Sequence, residues 1–166
     1  MTTAGNNSLR SARRRQGGQA MVEFALTLIF LMILIVSIFE TLAFVYTYSV
    51  MADAAKEGVR YAIVHGVNSG SPSGPTTAVT ASSPPCNSSN ASAAASVTNV
   101  VTQVKSFAAF SFHDTSNMNV YVCYLDGNRN LNSLVEVTVN YPFRPLFGLG
   151  WPSPTVNANS AGRIVF

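Results

Sequence analysis

Two carboxylates stand in otherwise uncharged, apolar sequence. Glu23 precedes the sixteen-residue run from Phe24 to Phe39, and Glu40 follows it directly. Removing an acid from water into such surroundings costs free energy, so each is a candidate contact for a charged or hydrogen-bonding partner. The plainer reading of Glu23 is an acid satisfied by a helix dipole and interfacial water. For Glu40 it is simple reach to the outer interface. Cys86 and Cys123 offer a disulfide or two free thiols. His65 and His113 show no ligand spacing with them, which argues against a metal site. The segment VNSGSPSGP lacks the lysine and the strand context of a phosphate-binding loop. No cofactor and no catalytic constellation are expected, and the chain reads as a non-enzyme.

Composition says what must position these groups. Of 166 residues, 48% are hydrophobic and only 10% charged, against roughly 25% charged in ordinary soluble domains. The net charge of +3 has a local origin, because Arg10, Arg13, Arg14 and Arg15 all precede Gly18 and the remaining six basic residues face seven acids. A basic stripe for nucleic acid is therefore missing from the rest of the chain.

Phe24–Phe39 is a transmembrane helix candidate. Sixteen residues span only roughly 24 Å of the roughly 30 Å hydrocarbon core, so residues near Glu23, Glu40 or both must join the span. The arginines before it place the N-terminus in the cytoplasm and the remainder outside, with Tyr46 and Tyr48 at the outer interface. A secretory signal peptide is disfavoured, because the apolar run is long and the small residues Ala52, Ala54 and Ala55 lie inside a helical pattern. With no proline between Met1 and Ser71 and no glycine between Gly18 and Gly58, one helix is predicted from Gln19 to His65, with Gly66 as its stop. Ala55, Val59, Ala62 and Ile63 fall at helical spacing, and Asp53–Lys56 and Glu57–Arg60 are i,i+3 pairs.

Residues 67–92, rich in Gly, Ser, Pro, Thr and Asn, read as a mobile surface loop. A second, amphipathic helix is predicted over 93–109 from Val97, Val100, Val101, Val104 and Phe107. Alternation at Val120, Val122 and Tyr124 and at Val135, Val137, Val139 and Tyr141, joined through DGNRN, predicts an antiparallel hairpin. The tail TVNANSAGRIVF offers a weak third strand. The expected fold class is α+β: a leader over 1–18, a long helix over 19–66, the loop over 67–92 and a small extracytoplasmic head over 93–166. Trp151 reads as packing of the head or as a partner-binding knob. Both cysteines fall outside the cytoplasm, where disulfides persist, so a Cys86–Cys123 bond is the leading reading and free thiols the alternative.

The most specific pattern is Arg13-Arg14-Arg15-Gln16-Gly17-Gly18 followed by Gln19-Ala20-Met21-Val22-Glu23-Phe24. It resembles a type IV prepilin leader, and the resemblance implies cutting by a prepilin peptidase between Gly18 and Gln19, which makes Glu23 the fifth mature residue. With FE at Phe39-Glu40, ADAAKEGVRYAIVHG, and VEVTVNYPFRPLFG from Val135 to Gly148, the chain is similar to the TadE-like proteins of tight-adherence (Flp-type) pilus systems. That resemblance implies a minor pilin or pseudopilin of the bacterial inner membrane. Its implied partners are the peptidase, other pilins and pseudopilins, and the inner-membrane assembly platform. Glu23 and Phe24 would lie at subunit contacts, with Glu23 meeting the new Gln19 amine of a neighbouring subunit, and Glu40 would meet another component or the interface. The competing class is a single-pass anchor that presents a binding head and is neither processed nor polymerised.

Overall fold

The computed structural model describes residues 5–111, 114–148 and 153–166, with side chains from residue 18 onward. His113, Trp151 and the leader arginine side chains lie outside the described residues. Contacts divide the chain into two units, Met1–Leu42 and Ala43–Phe166. The elements are α1 (Gly5–Val64), α2 (Val97–Phe110), β1 (Asn119–Tyr124), β2 (Leu134–Pro142) and β3 (Thr155–Arg163), an α+β arrangement.

Helix α1 begins earlier than Gln19 and runs through Gly17 and Gly18. Two glycines cost a helix roughly 1 kcal/mol each, while the Leu, Arg, Ala and Gln before them are good helix formers, so the helix extends back past the predicted start at Gln19. In the first unit the large apolar side chains from Met21 to Leu42, Val36 apart, are exposed, from 37% at Ile35 to 74% at Met21. A helix apolar on every side has no core-facing stripe and fits lipid rather than water. Gly18–Val64 contains a stretch long and apolar enough to cross a membrane. Its hydroxyls are satisfied internally. Thr27 Oγ1 donates to Glu23 O at 2.9 Å, Ser37 Oγ to Ile33 O at 2.8 Å and Thr41 Oγ1 to Ser37 O at 2.8 Å, as a solvent without hydrogen-bonding groups requires.

Within the second unit, α1 turns one face inward. Val50, Met51, Ala54, Ala55, Val59 and Ala62 are buried at helical spacing, and the charged residues take the other side, where Asp53–Lys56 (2.9 Å) and Glu57–Arg60 (3.5 Å) form. Such exposed pairs contribute little, typically about 0.3–0.5 kcal/mol. The buried face meets α2 through Val97, Val100, Val104 and Ala108 and the sheet through Val122, Val135, Val137 and Val139. Gly58 sits where these surfaces come closest, since a Cβ there would run into Val104 Cγ2 and lie 3.2 Å from Val137 Cγ1. Gly58→Leu should therefore overpack the head and cost about 1–3 kcal/mol. Thermal unfolding of the full chain in detergent checks this, and an unchanged midpoint would show the helix to be less tightly seated.

The sheet has the order β1-β2-β3, antiparallel throughout. β1 pairs β2 with Val122 opposite Val137, and β2 pairs β3 with Val139 opposite Ala158. The third strand is a full nine residues. The turn between β1 and β2 is held by Asp126 Oδ2, which accepts the Leu134 amide at 2.8 Å, and by Asn132 at φ 68°. The C-terminus returns to α1, where Val165 N donates to Ile63 O at 3.0 Å. Gly66 lies just beyond the helix end, and its missing side chain makes room for Ile164 and the Phe166 carbonyl.

Candidate functional site

The sequence-derived candidates form two groups in the structure. Gly18, Gln19, Glu23, Phe24 and Glu40 all lie on α1 in the first unit, with Gly18, Gln19, Glu23 and Phe24 exposed and Glu40 half-buried. Gln19 and Glu23 are four residues apart and so share a helix face. Gly18 is unlike Gly58 and Gly66, because a Cβ built on it would meet nothing within 4 Å. Among the described residues nothing packed there requires a glycine. The apolar stretch Met21–Leu42 is twenty-two residues, roughly 33 Å of helix, which matches a hydrocarbon core of about 30 Å. Glu23 and Glu40 then stand one near each end, where a carboxylate reaches interfacial water at lower cost than at the centre.

The second group is in the head. Cys86 and Cys123 are joined, with S–S 2.02 Å and Cα–Cα 5.7 Å, and both are buried, at 2% and 0% exposure. Cys123 lies on the sheet face turned away from the helices, and with Leu125, Ala91, Tyr121 and Leu134 the bridge makes a small second apolar cluster there. The loop that carries Cys86 is pinned by Asn90. Its Nδ2 donates to Ser83 O at 2.6 Å and Pro85 O at 3.1 Å, while its Oδ1 accepts the Asn87 amide at 2.7 Å. Further back, Ser73 Oγ and Tyr124 Oη are 3.0 Å apart, and Gly74, at φ 95°, lies so close to the Tyr124 ring that no side chain fits. Burial pushes the Tyr124 phenol above its ordinary value, opposed by the Ser73 hydrogen bond and the Arg129 charge.

The covering of that outer face was not legible in the β2 alternation, which reads as apolar inward and polar toward water. Glu136 and Thr138 are buried, at 4% and 8% exposure, and Glu136 Oε1 accepts from Asn159 Nδ2 at 3.2 Å. His65 is occupied locally, its Nδ1–H donating to Tyr61 O at 2.8 Å with the two rings stacked at 3.9 Å. Among the described residues no three His, Cys, Asp or Glu side chains gather as a metal site would need.

Comparison with known proteins locates one similarity. Searches of curated proteins and of solved structures find no match. The C-terminal stretch from Val135, part of the resemblance read from the sequence, lies outside the region that a family model matches. That region is residues 18–60 of α1, which begins at the glycine before Gln19 and takes in both Glu23 and Glu40, and over it the chain is similar to the family described as TadE-like protein.

Proposed function

We propose that this chain is a TadE-like pseudopilin, a minor component that takes part in assembling a tight-adherence pilus after its leader is removed, and that its role is structural rather than catalytic. The match over 18–60 supports association with a pilus, and the all-round apolar helix supports a single membrane span. The observation that carries the finer reading is the junction at Gly18. The glycine answers no packing need among the described residues, which supports a requirement set by another molecule. A peptidase cleft that takes an extended chain is such a requirement, because a residue without Cβ both opens a helix and passes through a narrow channel. Adjacent glycines make this the place where α1 unwinds at least cost.

In this reading the leader arginines stay in the cytoplasm, the span lies in the inner membrane and the head is outside. The prepilin peptidase cuts after Gly18, and Gln19 acquires a free amine. Glu23 of one subunit meets that amine on a neighbour, a pairing that exists only after the cut and that lipid cannot replace. Other pilins and the assembly platform supply the remaining contacts, Glu40 among them.

A strain lacking this protein tests the proposal. The wild-type chain should restore pili and Gly18→Arg should not, although the variant inserts normally, since its side chain has open space around it. Full restoration by Gly18→Arg would favour the unprocessed anchor with a binding head.

A further inference from the structure

Within the head, β2 runs alongside the outer part of α1 from one end to the other. Val165 N donates to Ile63 O at 3.0 Å and Asn132 N to Ile164 O at 2.8 Å, so the chain just before β2 lies beside the C-terminal end of the helix. At the other end Phe143 follows the strand directly, and its ring meets that of Phe44 edge-on with centroids 5.3 Å apart. The lengths agree, since Phe44 to Ile63 covers roughly 28 Å of helix and the nine residues of β2 cover roughly 30 Å of strand. Phe44 is two residues past Leu42, where the apolar stretch closes. Chain connectivity alone therefore holds the Phe143 end of the head near the level at which the span ends.

That end carries large apolar side chains that the fold leaves uncovered. Leu146 and Phe147, in the segment after Phe143, are 69% and 53% exposed, and Phe110, which closes α2, is 88% exposed. Phe110 belongs to the same end, because α2 leads into β1, whose first residue Asn119 pairs with Asn140 near the end of β2. We propose that this end of the head docks on the membrane that α1 crosses, with Phe110, Leu146 and Phe147 seated at the boundary between lipid headgroups and acyl chains. Exposed apolar groups of this kind mark protein or membrane contacts, and a bilayer surface is present at this level wherever α1 spans. Tyr46 and Tyr48, both exposed on the same stretch of α1, are the ring type that settles at that boundary. Arg144, exposed between Phe143 and Leu146, can keep its charge among headgroups while its stem lies along apolar surface. Leu131, 61% exposed, lies at the opposite end beside Asn132 and stays in water. The proposal rests on the membrane span and not on leader cleavage.

The test uses the full chain reconstituted at low protein-to-lipid ratio in dioleoylphosphatidylcholine vesicles, with and without brominated acyl chains. Leu146→Cys, Phe110→Cys and Leu131→Cys each receive one environment-sensitive fluorophore, while Cys86 and Cys123 are bonded to each other and buried. At 146 and 110 the emission should shift to the blue, with brominated lipid quenching severalfold more than aqueous iodide. At 131 the order should reverse. Flotation of the vesicles reads the span separately, so a chain that does not float would overturn the span and this proposal with it. A chain that floats with 146 and 110 open to iodide would overturn the docking alone. So would probes shielded from both quenchers, which would mean that another protein covers the patch.

Discussion

Glu23→Ala should leave the protein in the membrane and remove it from the pilus machinery. Insertion depends on the apolar stretch from Met21 to Leu42, which the substitution only makes more apolar. Among the described residues no side-chain hydrogen bond or ion pair uses the Glu23 carboxylate, and Thr27 bonds to its backbone oxygen, so the substitution removes no such contact within the helix. What disappears is the group proposed to meet the Gln19 amine of a neighbouring subunit. In a membrane such polar contacts contribute roughly 0.6–2 kcal/mol each, and a contact repeated at each addition of a subunit weights assembly more heavily than any single bond. Cell fractionation should find the variant in membranes at wild-type abundance, while recovery with pilus components falls severalfold or more. Normal pili and adhesion in a strain carrying only this variant would refute the role given to Glu23.

Replacing Cys86 and Cys123 together by alanine should be the largest single loss of stability available in the head. The bridge closes a separation of 37 residues, which in the chain-entropy model corresponds to about 4 kcal/mol, and native bridges in small domains typically contribute 2–5 kcal/mol. For a unit the size of Ala43–Phe166 that is a fall of roughly 10–20 °C in unfolding midpoint. The apolar cluster of Leu125, Tyr121 and Leu134 loses its centre at the same time. Calorimetry of the wild-type and double-alanine chains in the same detergent gives the comparison, and equal midpoints would show that the loop before α2 is held by the Asn90 and Ser73 contacts alone.

Much of this architecture could be read from residue order. The absence of proline and of glycine between Gly18 and Gly58 dictates one long helix, and the alternation of Val135, Val137 and Val139 dictates a strand. α1 starts before Gln19, because glycine weakens a helix without stopping one whose flanks favour it. The tail strand looked weak in sequence for want of large apolar residues, yet its small residues are what the geometry needs, since Gly162 lies beneath Val59 and Ile63 of α1. Residues 67–92 read as mobile from Ser, Gly and Pro content alone. Their anchors, the Ser73–Tyr124 pair across 51 residues and the Cys86 bridge, are tertiary and leave no local periodic trace. For the same reason the burial of Glu136 and Thr138 is invisible to a rule that sends alternate strand residues to water.

The central claim turns on one peptide bond. N-terminal sequencing and intact mass of the protein extracted from pilus-producing cells, with and without the prepilin peptidase, address it most directly. Cutting after Gly18 predicts a chain beginning at Gln19 when the peptidase is present and the full-length chain when it is absent. A chain that keeps its arginine leader in both, or that begins beyond the apolar span, would contradict the account.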